Sequence, residues 1–184
     1  MVMSVDELRN DVARKQKKGL PFISASCIIW LLILIVCSTG LPVQLQNMLV
    51  LCCSCPLMPL AWVIGKIMDV DVFDKSNELG KVGFLFTLNQ LLYLLIVMWV
   101  FSAVPEKMVM VYAMVFGAHL LPYSWLYQSA TYRVAAILIP LVSLAVGCLF
   151  TSRTVAAVML AIEVVYTVLL YMEEKKQRES VGNA

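Results

Sequence analysis

Six long stretches of this chain run almost free of charge, and short polar connectors separate them. Their limits fall near Phe22–Thr39, Met48–Met68, Val82–Val104, Met108–Tyr127, Val134–Phe150 and Thr154–Met172. At a rise of about 1.5 Å per residue each reaches roughly 25–35 Å, enough for a hydrocarbon core about 30 Å thick. Backbone polar groups cannot stay unpaired in lipid, so only helices or closed barrels cross it. None of the six alternates with period two, which excludes the barrel. The pattern predicts an all-α integral membrane bundle of six transmembrane helices.

The polar residues divide the rest. Residues 1–20 read as an amphipathic cytoplasmic N-terminal segment, 21–172 as the transmembrane domain and 173–184 as a polar cytoplasmic tail. In the first segment Ser4 and Glu7 have capping-box spacing, Val5, Leu8 and Val12 form an apolar stripe, and Gly19 with Pro21 ends the element. Its basic residues are expected to face anionic headgroups, each worth about 1 kcal/mol near the surface. Residues 1–19 are too long and too mixed in charge for a signal n-region, and no small-residue cleavage site follows the first apolar run. Val36 before Cys37 is too large for a lipoprotein box, so the first span is expected to stay in the mature protein.

Composition agrees with the pattern. Of 184 residues 61% are hydrophobic and 14% charged, where a soluble domain carries about a quarter charged. A net charge of +2 gives no reason to expect a nucleic-acid partner. The placement of charge says more than its sum. With the N-terminus inside, twelve of the fourteen Lys and Arg residues, Lys75 among them, fall on that side, and only Lys107 and Arg153 fall outside. Positive-inside bias then predicts that both termini are cytoplasmic. The outer connectors, Gly40–Asn47, Pro105–Lys107 and Thr151–Arg153, leave no room for an outer domain.

Polar groups at membrane depth are the nearest thing to a chemical signal. Glu163 lies at the centre of the sixth span, His119 within the fourth, and Asn89 and Gln90 about a third of the way into the third. A carboxylate at such depth costs about 2.5–3.5 kcal/mol on insertion scales. By depth Gln90, His119 and Glu163 can meet in one bundle, where a Glu beside a His can carry a proton or cation. The plainer reading is that these groups hydrogen-bond helices to one another.

Pro56, Pro59, Pro122 and Pro140 lie inside spans, where each removes a donor and is expected to kink its helix. Pro56-Leu57-x-x-Leu60-Ala61 matches Pro140-Leu141-x-x-Leu144-Ala145, and Gln90-x-x-Tyr93 matches Glu163-x-x-Tyr166. With three spans per half, these matches admit an inverted three-plus-three repeat, an architecture of secondary transporters. Cys52 and Cys55 form a C-x-x-C in the outer part of the second span, similar to quinone-linked disulfide-generating enzymes, but the outer loops hold no second pair to exchange with. Buried free cysteine is the ordinary alternative. Asp69, Asp71 and Asp74 do not make a calcium loop, because Phe73 and Asp74 stand where a ligand and glycine are needed. Met108, Met110 and Met114 lack a distinctive copper spacing. No metal or cofactor is implied. Ala113 with Gly117, and Ala157 with Ala161, mark close helix contacts.

The run Val111-Tyr112-Ala113-Met114-Val115-Phe116-Gly117-Ala118-His119-Leu120-Leu121-Pro122-Tyr123-Ser124-Trp125-Leu126-Tyr127 resembles one found in a family of small multi-span bacterial inner-membrane proteins without a known activity. Asp6-Glu7-Leu8-Arg9 through Lys17-Lys18-Gly19-Leu20-Pro21-Phe22 is similar to their opening. The resemblance implies a bacterial inner membrane, supplies no activity, and adds Tyr123 to the candidate residues. Three functions remain. A small-solute or proton-coupled carrier would use Glu163, His119, Gln90, Asn89 and Tyr123. A non-catalytic assembly, immunity or regulatory protein would use polar groups only to hold helices. A thiol-disulfide oxidoreductase would use Cys52 and Cys55. The expected partners are the bilayer, a small solute of unknown kind and, for a bundle this small, a second copy.

Overall fold

The computed structural model describes residues 3–72, 74 and 76–182, with the backbone alone at 84 and 180–182. Phe73 and Lys75, and the extreme ends of the two terminal segments, lie outside the described residues. Among the described residues the structure is all-helical, and six helical stretches are long and apolar enough to cross a membrane, which makes this a multi-pass membrane protein.

Helix α1 (Val5–Lys15) opens on the capping box foreseen above: Ser4 N–H donates to Glu7 Oε2 at 2.6 Å and Glu7 N–H to Ser4 Oγ at 3.3 Å. The first span, α2 (Leu20–Cys37), begins with Pro21 in its first turn, where a missing N–H costs nothing. The second span is two helices, α3 (Val43–Cys53) and α4 (Leu57–Ile67). Pro56 lacks an N–H, and its ring would strike the Cys52 carbonyl of a continuing helix, so the chain turns at 54–56. Pro59 falls in the first turn of α4, where it is tolerated.

The third span is α5 (Gly80–Ala103). The fourth is again divided, into α6 (Met108–Ala118) and α7 (Leu120–Leu126), with the break at His119 just before Pro122. The fifth is α8 (Ala130–Leu149), which continues through Pro140, and the sixth is α9 (Ser152–Gly182). The paired motifs at Pro56 and Pro140 therefore do not share a break. Of the residues expected as a polar tail, 173–182 continue α9, with Lys175 and Arg178 in i,i+4 pairs to Glu179 and Glu174.

Helix α9 packs against α2, α8 and α6, and α6 packs closely on α8. Helices α3 and α4 lie on α2, while α5 rests on α6 and α7 and is the least buried span. The α6–α8 crossing leaves no room for a side chain at Gly117, where an added Cβ would stand 2.5 Å from Pro140 Cδ and 2.6 Å from Ile139 Cγ2. The Lys18–Glu173 ion pair puts the start of α2 and the end of α9 at one face, the termini face.

Helix α1 does not face headgroups with its whole basic side. Its Val12 and Ala13 are buried, and it is tied to the bundle. Arg9 donates twice to the Trp125 carbonyl, at 2.9 and 2.6 Å, and stacks on the Trp125 ring. Asn77 donates to the Leu8 carbonyl and to Asp11, and Lys15 reaches Ser76 and Asp11. Burial works against the Asp11 carboxylate, but the bonds from Lys15 and Asn77 outweigh it and hold its pKa below the usual value. Arg14 stays exposed. Partners beyond the helix thus hold Arg9, Asp11 and Lys15.

At the opposite face the two isolated cations cap helix ends. Lys107 donates to the Gly147 carbonyl at 2.7 Å, near the end of α8, and Arg153 to the Ser38 carbonyl at 3.2 Å, just after α2. Carbonyls in the last turn of a helix lack partners and carry partial negative charge, so cations are favourable there.

Candidate functional site

Glu163 sits eleven residues into α9, about 16 Å along it, and is fully buried. Its Oε2 meets Ser26 Oγ of α2, and its Oε1 has no partner. Ser26 Oγ also lies 2.7 Å from the Ile23 carbonyl oxygen. A hydroxyl has one proton and a carbonyl none to give. If Ser26 donates back along its own helix, the proton shared with Glu163 must come from the carboxyl. One turn further along α9, Tyr166 is buried with its hydroxyl unpaired.

Glu173, ten residues on, has the opposite surroundings. Its Oε1 accepts from Lys18 Nζ at 2.6 Å, and its Oε2 accepts from Ser129 Oγ at 3.0 Å, Thr131 N–H at 3.1 Å and the Thr131 hydroxyl. Four donors, one of them the Lys18 ammonium, suit an ionised carboxylate. Lys18, nearly fully buried, follows Lys17, and both have left-handed backbone, as does Gly19 at φ +71°. A Cβ on Gly19 would stand 2.9 Å from Tyr132 Oη, whose own proton goes to the Lys18 carbonyl. Lys17 reaches the Met68 carbonyl just past α4. This turn therefore ties α2, α4, α8 and α9 together at the termini face.

The other expected residues fall elsewhere. His119, at the break between α6 and α7, packs edge-on against Phe116 and Tyr123 with Nδ1 buried and unpaired. Tyr123 shares a 2.9 Å hydrogen bond with Thr87 of α5. Asn89 and Gln90 are half-buried on α5, and among the described residues neither side chain has a hydrogen bond. None of Glu163, His119 and Gln90 bonds to another. What joins the regions is aromatic packing: His119, Tyr123, Tyr127, Tyr132 and Tyr166 follow one another with ring centres 5.5–6.0 Å apart.

Cys52 and Cys55 are exposed, unbridged thiols on either side of the start of the 54–56 turn. Cys52 lies nine residues into α3, about 14 Å from its start. That is near the middle of the second span, Val43–Ile67, and a reactive thiolate is costly in apolar surroundings. Among the described residues no cluster of His, Cys, Asp or Glu could hold a metal ion.

Sequence reasoning did not single out Ser26, Lys18 or Glu173. A serine inside an apolar run carries no signal of its own, and Lys18 and Glu173 are 155 residues apart. The Lys-Lys-Gly turn and Ser129-x-Thr131 at the start of α8 were the available hints.

The profile of a family described as a family of unknown function, DUF7010, matches residues 5–173 of the chain. No curated protein and no solved structure matches.

Proposed function

Since the chain belongs to DUF7010, a family whose function is unknown, its role must be read from its own residues, and we propose a non-catalytic membrane protein of the assembly or regulatory class. In this reading the intramembrane polar groups lock helices together, and Glu163 is a neutral acid joining α9 to α2. The supporting observation is that none of Glu163, His119 and Gln90 bonds to another, Glu163 being sealed with Ser26 as its one partner. Neutral hydrogen bonds between membrane helices are worth about 0.6 kcal/mol on average and up to about 1.7, which suits a positioning role. The charged groups tied at the termini face would then present the working surface.

A second reading, a proton-coupled carrier, draws support from the unpaired Glu163 Oε1 and Tyr166 hydroxyl. Unsatisfied buried polar atoms are uncommon and often mark sites of function. Proteoliposomes holding a pH-sensitive dye separate the two. The locking role predicts proton flux equal to that of protein-free vesicles, and Glu163→Gln, whose amide still donates to Ser26, keeps the fold. Flux above background that Glu163→Gln abolishes overturns the locking role in favour of the carrier.

A further inference from the structure

The lipid-facing side of α5 contains a seam with four-three spacing: Leu85, Asn89, Leu92, Ile96, Trp99 and Ala103. Such spacing keeps residues on one helix face along a left-handed contact with a parallel partner. Leu85, Leu92, Ile96 and Trp99 are each at least half exposed. Within the seam Asn89 is half-buried, and among the described residues no hydrogen bond reaches its amide. It lies nine residues into the helix, about 14 Å, at a depth where water does not serve as partner. Lipid tails can cover the leucines, but they offer an amide neither donor nor acceptor. The amide carries both; another amide complements it at both atoms, and the same residue of a second copy supplies one across a two-fold axis.

We propose that the protein is a homodimer through α5, with the two Asn89 side chains hydrogen-bonded to each other one turn from the start of the seam. A single asparagine in an otherwise apolar seam fixes register and favours pairing over larger assemblies. The pairing stands apart from the role of Glu163, because α5 rests on α6 and α7 and leaves this side free. Gln90 is adjacent in sequence but turned about 100° away around the helix, so it takes no part in the seam.

Energy transfer between donor- and acceptor-tagged copies in lipid vesicles, followed as lipid is added, tests this. The wild type keeps transfer on dilution to a two-copy stoichiometry. Asn89→Leu weakens association about ten-fold, equivalent to about 1.4 kcal/mol. Asn89→Gln, which keeps an amide, holds association near the wild-type level and guards against misfolding as the cause. Leu91→Ala, exposed on α5 away from the seam, changes nothing. A wild type without transfer, or an Asn89→Leu variant that associates as the wild type does, overturns the proposal.

Discussion

Glu173→Ala is expected to destabilise the protein by about 3–5 kcal/mol, the cost of leaving a buried charge without its partner. The stranded group is Lys18, 4% exposed, at 2.6 Å from Glu173 Oε1. Lys18 cannot readily swing to solvent, because the left-handed turn of Lys17, Lys18 and Gly19 is fixed on both sides. Tyr132 holds the Lys18 carbonyl, and Lys17 holds the carbonyl of Met68. Ser129 and Thr131 lose their acceptor in the same substitution. Reversible unfolding in mixed micelles measures the loss. The double variant Lys18→Met with Glu173→Gln should recover part of it, since no charge is then buried alone. A loss below about 1 kcal/mol, the range of exposed ion pairs, would mean that this junction is solvated.

The second large effect falls at Gly117. A methyl group there meets Ile139 Cβ at 2.7 Å, Ile139 Cγ2 at 2.6 Å and the Pro140 ring. These atoms are close to the α8 backbone and cannot turn aside, so the helices must separate. Overpacking of this kind costs about 1–3 kcal/mol, and Gly117→Ala is expected in that range, with larger side chains worse. Gly147 lies at the same crossing, where a methyl group would meet Met110 Cβ at 2.6 Å and Met110 Cγ. Cβ is fixed to the α6 backbone, so Gly147→Ala is expected in the same range. The same unfolding assay reads both, and a negligible cost at either position would contradict this account of the α6–α8 contact.

The sequence carried the spans well because each is long and apolar, and lipid imposes helices on such runs whatever lies beside them. The capping box at Ser4 and Glu7 was legible because it is local. The docking of α1 was not, since Arg9 finds the Trp125 carbonyl through packing between segments 116 residues apart. Proline positions marked residues but not outcomes. Pro56 accompanies a divided span, whereas Pro140 lies in a continuous helix that passes close to Gly117. The same limit explains the candidate site. Depth alone allows Glu163, His119 and Gln90 to meet, but rotation about each helix decides whether they do, and apolar runs on all sides hide that rotation. Ser26, the group that reaches Glu163, stood out in nothing but its position.

The locking role depends on one protonation state in one closed place. Infrared difference spectra of the wild type against Glu163→Gln, taken across the neutral pH range in water and heavy water, read that state directly. The account predicts one protonated-carboxyl band assigned to Glu163, unchanged over that range and slow to exchange its proton for deuterium. A band that titrates away and exchanges at once, or a carboxylate signal in its place, would contradict it.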